Sequence, residues 1–321
     1  MCRFVIYKGR EPILLADLLT NPAHSVINQS FDSRLRIDKS RPINGDGFGV
    51  GYYADETISL EPAIFTAITP AWNNLNLTRL ASKTKSKVVF GHVRASTTGL
   101  LAEPNCHPWS YNTLLFMHNG GIASFPLIKR RLQSEIRDRY FLHVQGNTDS
   151  ENAFALFLNC LHDRGIDPSK SYPDGIPHGA LRDALCDTIS KINTWCKEVN
   201  TTEPSLLNFA VTDGKSVVCT RYISSKTDEA ASLFYSSGTS FHQYAKGQYR
   251  MERMDKGQDI IMIASEPLTF ERADWVTVPT NTILTIHNQT VLLRPLVDEH
   301  FVDYGSRSRE FAISKGQQVV A

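Results

Sequence analysis

Cysteine is scarce in this sequence. There are six in 321 residues, Cys2, Cys106, Cys160, Cys186, Cys196 and Cys219. No two form a Cys-x-x-Cys pair, and no regular framework of spacings links them. A disulfide scaffold is therefore a poor description, and reduced thiols in the cytoplasm are the simplest reading. Charge of one sign is also lacking. Lys and Arg number 34 against 33 Asp and Glu, a net charge of +1, so no strong field favours nucleic acid or an anionic membrane. Long apolar runs are missing as well. DIIMIA and TLLFM are strand-length and far too short to span a bilayer. No extended apolar segment follows the basic residues of the N-terminus, so no secretory signal is expected there. Internal repeats and low-complexity linkers are not found either.

What remains is the balance of a globular chain, 41% hydrophobic and 21% charged, long enough for one large domain or two ordinary ones. RFVIY reads as a strand, and Pro12 followed by ILLADLL as a short helix entered through proline. GFGVGYY and TISLEP read as paired strands, NLTRLASKT as a helix, and KVVFGHVR and NTLLFMHNG as strands. Residues 126–141, LIKRRLQSEIRDRYF with its leading proline, read as one basic helix with a solvated face. TDSENAFALFLNCLHDRG is a helix with Thr148 as N-cap, Glu151 at the capping-box position and Gly165 as its stop. ALRDALCDTISKINTWCKEV carries apolar residues at helical spacing. LLNFAVTDGKSVVCTRYI reads as a hairpin turning at Asp213–Gly214. LFYSSG, DIIMIASEPL, WVTVP, TILTIH and TVLLRPL read as further strands. Strands, two long helices and strands again predict two sheets with helices outside, in one domain over residues 2–297. Residues 298–321 read as a loosely ordered tail.

Four short stretches carry chemistry. Cys2 directly follows the initiator methionine. If Met1 is removed, Cys2 gains an α-amino group that can serve as base for its own thiol. The alternative is a plain cysteine at a strand end. GHVRAST, residues 91–97, follows an apolar strand, and Arg94 offers a planar fork for a carboxylate. The alternative is a surface ion pair. MHNGGI, residues 117–122, ends a strand in Asn119 and two glycines. An Asn amide beside a backbone N–H can hold an oxyanion, whereas a bare Asn-Gly turn needs no function. In GNTDSE, residues 146–151, Asp149 sits in the first turn of a helix. The helix dipole alone accounts for an acid there.

The chain order of these four elements is more informative than any one of them. Cys2, then HxRxxT, then HNG, then TDSE resembles the class II glutamine amidotransferase domains, which are N-terminal nucleophile hydrolases. NGDGFGVGYY, NCHPW at residues 105–109 and ASEPL at residues 264–268 are similar to the small stand-alone branch that includes the γ-glutamyl hydrolases of ergothioneine synthesis. The opening MCRFVIYKGREPILLADLLTNPAHSVINQS most resembles the fungal members, amidotransferase-like subunits of an alternative cytosolic glutathione-degradation complex.

The resemblance implies an α+β fold, a four-layer αββα sandwich. It implies Cys2 as nucleophile, with Asn119 and Gly120 as the oxyanion hole. Arg94 and Thr97 would hold the substrate α-carboxylate and Asp149 the α-ammonium. No cofactor and no metal are implied. His92 and His118 read as supporting hydrogen-bonders, and nothing in the sequence activates Cys106. Glu266 reads as fixing a strand exit. The substrate would be a small γ-glutamyl amide, most plausibly glutathione, and the partner a larger subunit of the degradation complex. A glutaminase feeding ammonia to a separate synthase, a γ-glutamyl hydrolase of another thiol metabolite and a non-catalytic scaffold are the rival readings.

Overall fold

The structure is a computed structural model that describes residues 2–32, 43–95, 100–254, 257–303 and 307–314. The chain opens with β1 (Arg3–Leu14), where RFVIY supplies the branched and aromatic residues that suit a pleated surface. The strand continues through Pro12 because its ladder shifts register between Lys8 and Ile13, and such an irregularity tolerates proline. The expected helix therefore starts later and is shorter, as α1 (Leu15–Leu19). α2 (Val26–Gln29) is capped by the Ser25 hydroxyl, which accepts from the Asn28 N–H.

β2 (Phe48–Tyr52) pairs with β3 (Ala63–Ala67), Phe48 opposite Ala67 and Tyr52 opposite Ala63. TISLEP is loop rather than the expected strand. The Asp55 carboxylate takes both the N–H and the hydroxyl of Thr57, a local bond that competes with a ladder. α3 (Leu75–Ala81), β4 (Lys85–Val93), β5 (Trp109–Tyr111) and β6 (Leu114–Gly121) follow. The basic stretch then forms two helices instead of one, α4 (Phe125–Glu135) and α5 (Asp138–Phe141), parted at an extended Ile136. Three of its four arginines are paired with acids: Arg131 with Glu135, Arg137 with Asp163, and Arg139 with Asp167.

α6 (Asp149–Asp163) begins as its sequence predicts, with Thr148 Oγ1 accepting from the Glu151 N–H. The Glu151 carboxylate reaches further back, to the N–H groups of Gln145 and Gly146. Gly165, at φ +84°, follows the helix end. α7 (His178–Glu198) is the second long helix. β7 (Leu206–Thr212) and β8 (Val217–Arg221) form the predicted hairpin. β9 (Phe234–Gly238), β10 (Ser240–Ala245), β11 (Gln248–Glu252), β12 (Ile260–Ala264), the two-residue β13 (Val276–Thr277), β14 (Thr282–His287), β15 (Thr290–Pro295) and α8 (Glu310–Ser314) complete the described elements.

One sheet runs β13-β9-β12-β1-β4-β2-β3, the other β15-β14-β8-β7-β6-β5, and β10 and β11 form a separate hairpin. Every ladder between these strands is antiparallel. Strand periodicity sorts the side chains into three cores. Phe4, Ile6, Phe90, Ile261, Leu115, Met117 and Ala210 meet between the sheets. Val5, Tyr7 and Met262, one residue out of phase, pack under α1, α2 and α3. Phe116, Phe209 and Val211 pack against α4, α6 and α7. Three cores separate four layers, so the fold is an αββα sandwich of the α+β class.

Of the C-terminal stretch, residues 298–303 and 307–314 carry specific contacts. The Tyr222 hydroxyl meets the Asp298 carboxylate, the Arg307 guanidinium donates to the carbonyls of Ser225 and Asp228, and Phe311 packs on Leu206, Ile223 and Ala230. Among the described residues no helix is long and apolar enough to cross a membrane.

Candidate active site

The antiparallel pairing of β1 with β4 sets Arg3 opposite Val93 and Phe4 opposite His92. The head of β1 therefore lies beside the end of β4, and Cys2 beside Arg94. The Cys2 thiol donates to the Ala95 carbonyl at 3.6 Å and is 8% exposed. Arg94 is 4% exposed, so the surface ion pair suggested by its residue type alone does not apply. Its backbone N–H donates to Gly47 O at 2.9 Å and its Nη1 faces Asp46 O at 3.4 Å.

The two sheets are joined at this end. His92 Nε2 donates to the His118 carbonyl at 3.3 Å, which places β6 of the second sheet against β4 of the first. Asn119 is fully buried, and its Nδ2 donates to Ser265 Oγ at 3.2 Å. Gly120 follows. A Cβ there would lie 1.8 Å from Leu206 O, so no other residue fits this backbone path. Past Gly121 the Ile122 N–H donates to Asp149 Oδ2 at 2.7 Å, and Asp149 Oδ1 accepts from the Ser150 N–H at 2.9 Å. The half-buried Asp149 carboxylate thus ties the head of α6 to the end of β6. An ionised carboxylate has about four acceptor positions, so capacity remains for a ligand cation. Cys2, Arg94, Asn119, Gly120 and Asp149, far apart in sequence, meet at one end of the inter-sheet core. Thr97 and Met1 lie outside the described residues.

The histidines stand behind this cluster. Burial pushes His92 down to about 3 and His107 and His118 down as well. His118 is held as a neutral ring, with Nε2–H donating to Leu206 O at 2.9 Å and Nδ1 accepting from the Ser150 hydroxyl at 2.8 Å. The His107 ring stands edge-on to His92, with centroids 3.9 Å apart, and to Trp109, at 4.1 Å. Among the described residues no three His, Cys, Asp or Glu side chains are arranged to hold a metal ion. Cys106 donates to Ala67 O at 3.6 Å, and burial pushes its thiol up to about 11.

Sequence reasoning missed one buried network. Arg3, next to Cys2, pairs through Nε with Glu266 Oε1, and its Nη1 donates to the Cys2 carbonyl at 2.9 Å. His24 Nε2 lies 3.6 Å from the other Glu266 oxygen. Gln29 donates to the carbonyls of His24 and Glu266. Glu266 does sit at a strand exit, just past β12, but it also clamps the residue beside the thiol. The available signal was an acid placed after the wholly apolar strand IIMIA, where burial demands a partner.

An αββα sandwich with a thiol, an arginine, an Asn-Gly pair and an acid at one end of its central strands defines a class of hydrolytic amidotransferase domains. The family profile described as "Glutamine amidotransferases class-II" matches residues 15–301, and the chain belongs to that family. Among individual proteins, it is 59% identical over 324 residues to the probable glutamine amidotransferase DUG3 of Saccharomyces cerevisiae, covering 98% of this chain and 90% of that one. It is 29% identical over 168 residues to the gamma-glutamyl-hercynylcysteine sulfoxide hydrolase of Mycolicibacterium smegmatis, covering 52% of this chain and 65% of that one. A glutamine aminotransferase class-II domain protein from Silicibacter pomeroyi superposes with a TM-score of 0.60 at 22% identity, covering 92% of this chain and 100% of the other. The allosteric regulatory enzyme of purine biosynthesis superposes at 0.54 and 15% identity, covering 92% and 49%. These structural likenesses establish the fold.

Proposed function

We propose that the chain hydrolyses the γ-glutamyl amide bond of glutathione, releasing glutamate and Cys-Gly, through a thioester on Cys2. In this reading it is the catalytic subunit of a cytoplasmic complex with a larger partner. The observation that carries the reading is the meeting of Cys2, buried Arg94, the Asn119–Gly120 pair and Asp149 at one end of the fold. An α-amino acid head carries one carboxylate and one ammonium, and recognising it takes one cation and one anion close together. Arg94 and Thr97 take the carboxylate, and Asp149 takes the ammonium.

Removal of Met1 leaves an α-amine, with an ordinary pKa of about 7.7–8.0, which takes the proton of the Cys2 thiol. The thiolate attacks the γ-carbonyl carbon. The resulting oxyanion is held by the Asn119 side-chain amide and the Gly120 N–H. The tetrahedral species collapses, the C–N bond breaks, and the leaving amine takes the proton from the Cys2 ammonium. Water then adds to the thioester, and glutamate leaves with regeneration of the thiol.

The 59% identity to a protein named as a probable glutamine amidotransferase supports the acyl half of this reading. The lower identity to a gamma-glutamyl hydrolase supports hydrolysis of amides other than glutamine. The test is a steady-state assay of glutathione and glutamine with the purified chain, alone and after co-purification with candidate partners, together with the intact mass of the active material. We expect a chain beginning at Cys2 that hydrolyses glutathione poorly alone and well with its partner. Full activity in protein that retains Met1 throughout would overturn the base assignment. Robust turnover by the lone chain, unchanged by any partner, would refute the dependence. Preferential glutamine turnover with ammonia passed to an acceptor would make it a glutaminase subunit, and no turnover under any condition a scaffold.

A further inference from the structure

One hydrogen-bond position beside Asn119 is left open. Ser265, 1% exposed, accepts through Oγ from the Phe4 N–H at 3.1 Å and from Asn119 Nδ2 at 3.2 Å. With both bonds accepted, its hydroxyl proton has no acceptor among the described residues. At the other end of the same carboxamide, the buried Asn119 Oδ1 has no hydrogen-bond partner. A primary carboxamide can be turned over in place with almost no change of shape. Turned over, Oδ1 accepts the Ser265 hydroxyl proton, and Nδ2 takes the position of the orphaned oxygen.

The two orientations differ in what the free end of the amide offers. With Oδ1 outward, the amide presents an acceptor, which repels a developing negative oxygen. With Nδ2 outward, it presents an unpaired donor, which an oxyanion satisfies. Burying either end unpaired is costly, so the outward donor is poised for a partner that forms only during reaction. Ser265 is well placed to select between them. Its own N–H donates to Phe4 O at 3.0 Å, and its carbonyl accepts from the Ser232 hydroxyl at 2.9 Å. Its position is thus fixed to the strand that carries Cys2, two residues from the thiol.

We propose that Ser265 is a positioning residue that turns the Asn119 amide donor toward the oxyanion. The inference rests on the reading of Asn119 as oxyanion donor given above. It is tested by steady-state kinetics on glutathione and glutamine, with the partner present where activity requires it, for Ser265→Ala, Ser265→Thr, Asn119→Ala and the Ser265→Ala/Asn119→Ala double variant. Ser265→Ala should lower kcat roughly 10- to 100-fold, less than the roughly 10²- to 10³-fold lost with an oxyanion donor itself, and leave KM within about twofold. Ser265→Thr, which keeps the hydroxyl, should recover most of the rate. In the Asn119→Ala background, Ser265→Ala should change kcat no further.

Alkylation of Cys2 by iodoacetamide forms no oxyanion and should proceed at the same rate in Ser265→Ala. If Ser265 merely props Phe4, its loss slows alkylation and lowers kcat equally in both backgrounds, which overturns the proposal. Full kcat in Ser265→Ala with a crippled Asn119→Ala overturns it while leaving the oxyanion hole in place. Full kcat in Asn119→Ala brings down the oxyanion assignment, and the Ser265 proposal with it.

Discussion

Glu266→Gln should separate the stability of the fold from the chemistry of its nucleophile. Arg3 and Glu266 have side-chain exposures of 1% and 0%. The substitution keeps the shape but removes the charge that answers a guanidinium with almost no access to water. Removing one partner of such a buried pair costs about 3–5 kcal/mol, because the remaining charge loses its counter-charge. For a chain of this size each kcal/mol lowers Tm by about 2 °C, so the variant should melt roughly 6–10 °C below the parent. The paired substitution Arg3→Met with Glu266→Met removes both charges at once and should recover most of that loss. It should not recover the enzyme, because the Arg3 bond to the Cys2 carbonyl goes with the guanidinium. The assay is thermal unfolding followed at one wavelength, with the rate of Cys2 alkylation measured on the same samples. A Glu266→Gln Tm within about 1 °C of the parent would refute the argument, since it falls about 5 °C or more short of the smallest expected loss.

Cys2→Ala should abolish turnover, while Cys106→Ala keeps a sizeable fraction, because burial holds the Cys106 thiol near 11 and protonated at neutral pH; equal loss in both would identify the wrong thiol. Arg94→Lys and Asp149→Asn should each cost roughly 2–5 kcal/mol in kcat/KM for glutathione and glutamine alike, since lysine lacks the planar fork; a variant impaired on one substrate alone would show that the residue reads the leaving group. Acid should destabilise the fold through its buried histidines. His92, His107 and His118 are all depressed, chiefly by burial, so below an unfolded-state pKa of about 6.5 the unfolded chain binds protons that the native chain refuses. The stability they contribute is complete above about pH 6.5 and falls with acidification by about 1.4 kcal/mol per pH unit for each ring; a urea midpoint unchanged between pH 7 and pH 5 would contradict this.

α6 was legible from sequence because its signals are local. Thr148, Glu151 and Gly165 lie within one helix of each other, and the hydrogen bonds that use Thr148 and Glu151 span at most six residues. TISLEP misled because its alternation imitates a strand, while the true ladder is chosen by Phe48–Ala67 and Tyr52–Ala63 pairing that no short window contains. β10 and β11 were missed because their buried face is only Phe241, Tyr249 and Met251, set among polar residues in two short strands that pair only with each other. At the site, chain order indicated Cys2, Arg94, Asn119, Gly120 and Asp149 as candidates. The Arg3–Glu266 pair joins residues 263 apart, and the Ser265–Asn119 bond joins residues 146 apart. Contacts of that reach come from sheet topology and leave no periodicity behind.

The place of β1 between β4 and β12 has a consequence for biosynthesis. The strand is made early, and the residues that flank it on the β12 side, 260–264, are made late, followed by β13, β14, β15 and α8. At about 5–20 residues per second, the head of the chain waits on the order of 10–50 s before that neighbour can be added. During this interval the N-terminus is a nascent end that a methionine aminopeptidase can reach, whereas in the finished sheet the adjoining Cys2 is 8% exposed. If Met1 is removed as proposed above, its trimming is a race against closure of the sheet. On that reading, faster folding or a slower peptidase leaves a fraction of chains uncut, and a tag fused ahead of residue 2 leaves every molecule so.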